Sequence, residues 1–237
     1  MSTLPSSLLP ANEAERLRTL RALDTLPALY EPVFGAFVAL TARIFSLPIS
    51  LIGVVESENV FYPANYGMSG NTRQPRAEAL CSTVVLHDQV VVYQDLAWAD
   101  YHAYTHQAIK TAKANEIGFY AGAPLRLPGQ CNVGTLCVID QGPRVFSASE
   151  QRLLEQLAAL ISHTVVVRHT CQAHGHRDEA RWQRIGTLLQ EDLLALTALV
   201  RYLFNRQGNP IPVPADALAQ IEDRLQDLYL VLSETPH

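Results

Sequence analysis

"EIGFYAGAPLRLPGQCNVGTLCVID" (residues 116–140) sets four glycines, two prolines and two cysteines in an apolar background. A phosphate cradle, a thiol site or a sheet hairpin would each use such a composition. The spacing favours the hairpin. Gly118, Gly122, Gly129 and Gly134 make neither GxGxxG nor a P-loop, and no helical pattern starts where a phosphate would need N–H donors. Phe119, Ala121, Ala123, Leu125 and Leu127 share one face of a first strand. In a second strand Val133, Thr135, Cys137 and Ile139 alternate with Gly134, Leu136 and Val138, and "PGQC" (128–131) turns between the two. Pro124 cannot donate to a ladder, which predicts an edge or a bulge beside it.

Upstream, Asn12 and Glu15 stand at capping-box spacing ahead of a helix with Leu17, Leu20 and Leu23. Pro32 opens a second helix that carries Val33, Phe34, Phe37, Val38, Thr41, Ile44 and Phe45 on one stripe. "ISLIGVVE" (49–56) is apolar and β-branched, as in a strand buried on both faces, and "VFYPANY" (60–66) returns beside it. Residues 67–77 read as a polar loop, "EALCSTVVL" (78–86) as a short helix, "QVVVYQDL" (89–96) as a strand and 97–115 as helix plus loop. After "SASEQ" a helix follows, with Leu153, Leu154, Leu157, Leu160, Ile161 and Val165; Ser147 or Ser149 can cap it.

The chain has 237 residues, 48% of them hydrophobic and 17% charged, enough for a sizeable core. Its net charge of −5 and the lack of a basic block argue against nucleic acid and anionic membrane as partners. No apolar run reaches the ~18 residues of a spanning helix, and no signal-peptide pattern opens the chain. Cys81, Cys131, Cys137 and Cys171 lack CxxC spacing, which fits free thiols in a reducing cytoplasm.

Beyond residue 170 two further helices are predicted. One carries Trp182, Ile185, Leu189, Leu196, Leu199 and Leu203; the other carries Leu218, Ile221, Leu225, Leu228 and Leu232 at heptad spacing. A proline-rich loop joins them. A lone hairpin buries such a stripe badly, so a homodimeric four-helix bundle is expected.

These elements and four words, "RLRTLRALDTLP" (16–27), "LPISLIGVVE" (47–56), "IGFYAGAPL" (117–125) and "GTLCVID" (134–140), resemble the bacterial GAF sensory domain, in the subgroup found ahead of kinases and cyclases. The resemblance implies an α+β fold: an antiparallel sheet with helices on one face and a ligand pocket on the other. It departs in "LCSTVV" (80–85), where Thr83 stands at the subgroup's histidine, and in "LAWADYHAYTHQAIK" (96–110), which replaces an Asp-rich segment. Neither the motif of cyclic-nucleotide-binding relatives nor the Cys-His pair of bilin-binding ones is found.

The organisation expected is a loose segment 1–11, a GAF domain 12–170 and a helical linker and hairpin 171–237. Ligand-binding candidates are Phe61, Tyr66, Cys81, Tyr101, His102, His106, Phe119, Tyr120 and Cys137, with Tyr62 and Tyr104 in the same aromatic set. Cys81 lies near a helix start, where a thiol can gain reactivity. Cys137 in "TLCVI" also fits a small buried hydrophobe. His102 and His106 are four apart, as a metal pair on a helix would be, with Asp95 or Asp100 to complete it. Nothing in the sequence names a cofactor; a haem or other planar group suits such a pocket. No histidine near the hairpin has the following acidic residue of a phospho-acceptor. The function expected is therefore a cytoplasmic, non-enzymatic sensor: a small ligand binds beside the sheet, and a dimeric hairpin relays it to a separate signalling protein. The alternatives are a thiol redox enzyme of the methionine-sulfoxide-reductase kind, and a ligand-free interaction module whose pocket Phe61 and Phe119 pack shut.

Overall fold

β1 (Ile49–Val55) and β6 (Cys131–Asp140) are buried almost throughout, because each is paired on both edges and covered on both faces. They form the centre of a six-stranded sheet with β2 (Asn59–Tyr66), β3 (Arg73–Pro75), β4 (Val91–Tyr93) and β5 (Phe119–Leu127). Its order is β3-β2-β1-β6-β5-β4, and all pairs are antiparallel. The structure is a computed structural model that describes residues 9–70, 72–98, 106–173, 176–207 and 212–234.

The central hairpin is the one the sequence predicts. β5 pairs with β6 along its whole length but with β4 only from Tyr120 to Gly122. Pro124 therefore lies past the end of β4, where its missing N–H costs no ladder bond, and a register shift follows at Leu125/Arg126. The stretch expected as a polar loop contains β3, which pairs with β2 through only three residues. So short an edge strand shows no alternation to read.

α1 (Glu13–Ala22), the short α2 (Thr25–Ala28), α3 (Pro32–Ile44) and α6 (Ala148–Ala173) lie on one face. Their core partners from the sheet include Phe119, Ala121, Ala123, Leu136 and Val138. α4 (Cys81–His87) and α5 (His106–Ala114) lie on the other face with Leu51, Val55, Tyr120 and Cys137. Helices thus flank both faces of the sheet, rather than one.

α3 begins as expected, with Pro32 at its first position after an extended Glu31. α6 opens with a reciprocal capping box: Glu150 N–H donates to Ser147 Oγ (3.2 Å) and Ser147 N–H to Glu150 Oε2 (2.7 Å). The Asn12 side chain makes no such cap. Glu13 is engaged instead, accepting from Arg16 Nε at 3.0 Å and Arg76 Nη1 at 2.5 Å. Both arginines are buried, and they also donate to the carbonyls of Val55 and Glu56 at the end of β1.

Burial opposes the charge on Glu13, but the Arg76 and Arg16 guanidiniums outweigh it and hold the carboxyl below the ordinary glutamate value of 4.5. The stability this supplies is complete above that value and is lost as pH falls through the lower folded value. The melting temperature is expected to decline on acidification below about pH 4.5, and less steeply in Glu13→Gln. Thermal melts across that range check this; equal slopes in both proteins would remove Glu13 as a cause.

α7 (His176–Gln207) and α8 (Ala215–Glu234) form the C-terminal hairpin. α7 packs along α3, α8 along α6, and each against the other. Trp182, Ile185, Leu189, Leu196 and Leu203 of α7, and Leu218, Ile221, Leu225, Leu228 and Leu232 of α8, are all buried. The stripe for which a second chain was expected is covered inside the chain, because α3 and α6 supply the other two helices. Among the described residues no helix is long and apolar enough to cross a membrane.

Candidate functional site

The face under α4 and α5 holds a cavity of about 570 Å³. Leu51, Tyr120 and Cys81 line its base, Tyr62, Met68 and Gln74 one wall, and Arg73, Glu78, Thr111 and Asn115 its remaining polar surface. Strand alternation brings Tyr62 and Tyr120 here. Their neighbours Phe61 and Phe119 must then point away.

Side-chain hydrogen bonds, most of them to backbone carbonyls, fix the walls. Tyr62 Oη donates to Gln74 Oε1 at 2.9 Å, and Gln74 Nε2 donates to the Glu78 carbonyl at 2.8 Å. The same residues connect β2, β3 and the 3-10 turn Arg76–Glu78 that leads into α4. Ser82 Oγ donates to the Arg76 carbonyl at 2.6 Å. Asn132 Nδ2 reaches from β6 to the Val84 carbonyl at 3.1 Å, and Arg126 Nη2 reaches the Asp88 carbonyl at 2.6 Å. α4 is therefore pinned to the sheet along its length, with Cys81 at its first position.

The groups at the base are electrostatically linked. A hydrogen bond with Cys137 lowers the proton affinity of Cys81 despite burial, and the hydroxyls of Tyr120 and Tyr62 add to the effect. The contact with Cys81, then burial, push the Cys137 thiol well up. Burial, then the nearby sulfurs, raise Tyr62 and Tyr120 well above the usual phenol range. Both phenols thus remain donors. Tyr120 Oη is fully buried and makes no well-formed hydrogen bond, although it lies next to Cys81 and Thr135.

Of the residues expected to bind ligand, the structure brings Cys81 and Tyr120 to the cavity and Cys137 directly behind Cys81. Phe119 is a correction: it is wholly buried on the opposite face, with Phe146 at 5.6 Å between ring centroids. Phe61 is half-buried and outside the cavity lining. Tyr66, at the end of β2, lies in a groove with Val200 and Phe204 of α7. His106 opens α5 and is exposed. Tyr101, His102 and Tyr104 lie outside the described residues, as does the His102 half of the metal pair. No three His, Cys, Asp or Glu side chains gather as a metal site among the described residues. The cavity is not packed shut by Phe61 and Phe119, the condition set for the ligand-free reading. Sequence reasoning missed Gln74, Arg73, Thr111 and Asn115, which sit in segments read only as loop or helix plus loop.

A sheet of this order, with a cavity between it and two short helices, agrees with a family match: the GAF domain profile covers residues 30–165. The chain belongs to the GAF family. A curated relative, the cyclic di-GMP phosphodiesterase of Pseudomonas aeruginosa, is 28% identical over 236 residues. The alignment covers 92% of this chain and 38% of the relative, so the chain spans well under half that protein's length. Among solved structures, the GAF domain of Acinetobacter phosphoenolpyruvate-protein phosphotransferase is 16% identical with a TM-score of 0.49, covering 67% of this chain and 98% of that one. The free methionine-R-sulfoxide reductase of Neisseria meningitidis is 18% identical with a TM-score of 0.48, covering 65% and 89%. The reading of the chain as non-enzymatic is corrected by the first of these relatives, which is named for a phosphodiesterase activity. Motif inspection inside the chain could not have found this, since a name attached to a longer protein leaves no local pattern here.

Proposed function

We propose that this GAF chain is a cytoplasmic sensory unit in cyclic di-GMP turnover. A small ligand occupies the cavity under α4 and α5, and occupancy sets the rate at which cyclic di-GMP is hydrolysed. The observation that carries the reading is the cavity itself, with Tyr120, Leu51 and Cys81 at its base, Tyr62 on a wall and a few polar side chains, Arg73, Gln74, Glu78, Thr111 and Asn115, around them. The likeness to a phosphodiesterase supplies the reaction.

A route to the C-terminal helices supports the relay. Glu31, at the start of α3, accepts from Arg168 Nε of α6 and Trp182 Nε1 of α7, both at 2.5 Å. Arg168 also donates to Glu179 at 2.8 Å. A single carboxylate thus joins three helices, and two arrangements of the sheet would be felt by α7 through it. For a signal to pass, the ligand must bind the two arrangements with different affinity.

The test combines binding and turnover on the full chain. Native mass spectra of the purified protein are expected to show a retained small molecule, and Thr111→Phe, which places a ring in the cavity wall, is expected to lose it. Hydrolysis of cyclic di-GMP by a phosphodiesterase assayed together with each of the two proteins is expected to differ by about 5-fold or more, the usual lower range of a coupling. Equal rates despite different occupancy would sink the relay.

The homodimer belongs to this reading too. With the heptad stripe covered, it would use the exposed Leu188, Leu194 and Leu230. Light scattering is expected to give a dimer mass for the wild type and a monomer mass when all three are changed to glutamate. A monomeric wild type removes the dimer.

A further inference from the structure

Cys137 sits mid-strand in β6, facing α4. Its partners across the ladder are Leu51 on one side and Gly122 on the other. Two missing side chains open space around it. A Cβ on Gly53 would stand 3.0 Å from Cys81 Sγ. A Cβ on Gly122 would stand 2.5 Å from Tyr120 Oη and 2.9 Å from Thr135 Oγ1. The first hollow lets the α4 thiol descend to the level of the sheet, into the cluster on the same face that holds Cys137. The second receives the Tyr120 hydroxyl. Cys81 also lines the cavity, whereas Cys137 lies behind it and is fully buried. One thiol thus faces the cavity, and the other is buried outside its lining.

We propose that Cys81 and Cys137 form a dithiol modification site, in which a small hydroperoxide entering the cavity oxidises Cys81 and Cys137 closes an intramolecular disulfide. The Cys81 thiolate attacks the terminal peroxide oxygen. An S–O bond forms as the O–O bond breaks, and the departing hydroxide or alkoxide takes a proton, giving Cys81 sulfenic acid and water or alcohol. The Cys137 sulfur then attacks the Cys81 sulfur; the S–S bond forms, the S–O bond breaks, and the Cys137 proton leaves with the oxygen as water. Two thiols lose two electrons in total and the peroxide gains them. The lowered proton affinity of Cys81 fits the attacking role, and the raised one of Cys137 fits a partner that stays protonated until then. Cys131 and Cys171 are also buried and in no disulfide, but neither lines the cavity, so they serve as internal controls.

The inference is tested on protein dialysed free of any retained molecule and needs neither that ligand nor cyclic di-GMP, so it stands or fails separately from the reading above. The full chain is treated with hydrogen peroxide, denatured without reductant and alkylated. Two of the four cysteines are expected to escape alkylation, the intact mass to fall by two hydrogens, and the peptide map to join Cys81 to Cys137. Cys137→Ser is expected to stop at the sulfenic acid, which a 1,3-dicarbonyl probe captures at residue 81. Oxidation at Cys81 is expected to outpace that at Cys131 and Cys171 by about tenfold or more, as thiolate character and access dictate. A linkage through Cys131 or Cys171, uniform oxidation of all four thiols, or sulfinic acid at Cys81 without any linkage overturns the proposal. The wild-type chain alone decides the linkage, whatever the variant does.

Discussion

Glu150→Ala is expected to lower the melting temperature by about 10 °C, corresponding to a loss of ~3–5 kcal/mol, the range for breaking one side of a buried ion pair. Glu150 is wholly buried, and its carboxylate has several donors. It accepts from Arg144 Nη2 at 2.7 Å, from Ser147 N–H at 2.7 Å and from Val213 N–H at 3.3 Å. Arg144 also donates to the Phe45 carbonyl at the end of α3. Removing the carboxylate leaves a guanidinium 3% exposed with no countercharge. It also strands a backbone donor at the start of α6 and another in the α7–α8 loop. Glu150→Gln keeps an acceptor and loses the charge, so it should fall between. The paired change Arg144→Met with Glu150→Leu should recover part of the loss, since no charge is then left alone. Because Val213 is held by the same oxygen, hydrogen exchange in the α7–α8 loop should rise in Glu150→Ala ahead of global unfolding. A melt within about 2 °C of wild type would show that water replaces the carboxylate, and that the loop is held by something else.

The same residue shows what the sequence discloses. Ser147-x-x-Glu150 has the spacing of a capping box and could have been read as one, whereas alternation alone discloses the strands around "PGQC". Strand alternation likewise separates Phe119 from Tyr120 and Phe61 from Tyr62, since adjacent strand residues face opposite ways. Phe119, expected to bind ligand, shares a face with Leu125 and Leu127, and that is the face the helices cover. Other features depend on contacts far apart in the chain. Glu13 and Arg76 are 63 residues apart, and neither predicts the other. The heptad stripe of α8 says that a partner is needed, not that α6 of the same chain supplies it. Cys81 and Cys137 look unrelated until Gly53 leaves room for a sulfur above the sheet. The cavity wall was illegible for a similar reason: Gln74 acquires its role only when β3 folds beside β2.

Gly134→Ala is expected to be at least as damaging as the loss of Glu150, by a different route. β6 is paired on both edges at this point, to Val54 of β1 and Leu125 of β5. A Cβ here would stand 2.1 Å from the Gly53 carbonyl oxygen and 3.1 Å from its carbon, both backbone atoms that no rotamer change can move. One strand must therefore shift in the centre of the sheet. The cost should exceed the ~1–3 kcal/mol of ordinary overpacking, because ladder bonds on both sides are strained as well. Two glycines give opposite controls. Gly142→Ala meets nothing within 4 Å and should change stability by less than about 0.5 kcal/mol. Gly35→Ala, inside α3 and also unobstructed, should stabilise by about 0.5–1 kcal/mol. Thermal melts of the three variants side by side read both sign and size. The result bears on the thiol pair as well, since the carbonyl that blocks a Cβ at Gly134 belongs to Gly53, the residue over which Cys81 sits. A shifted β1 should unseat Cys81, and disulfide formation with peroxide should slow in whatever fraction of Gly134→Ala stays folded. A variant that melts like the wild type would mean the strands have more room than the contact allows, and the seating of Cys81 over Gly53 would lose its basis.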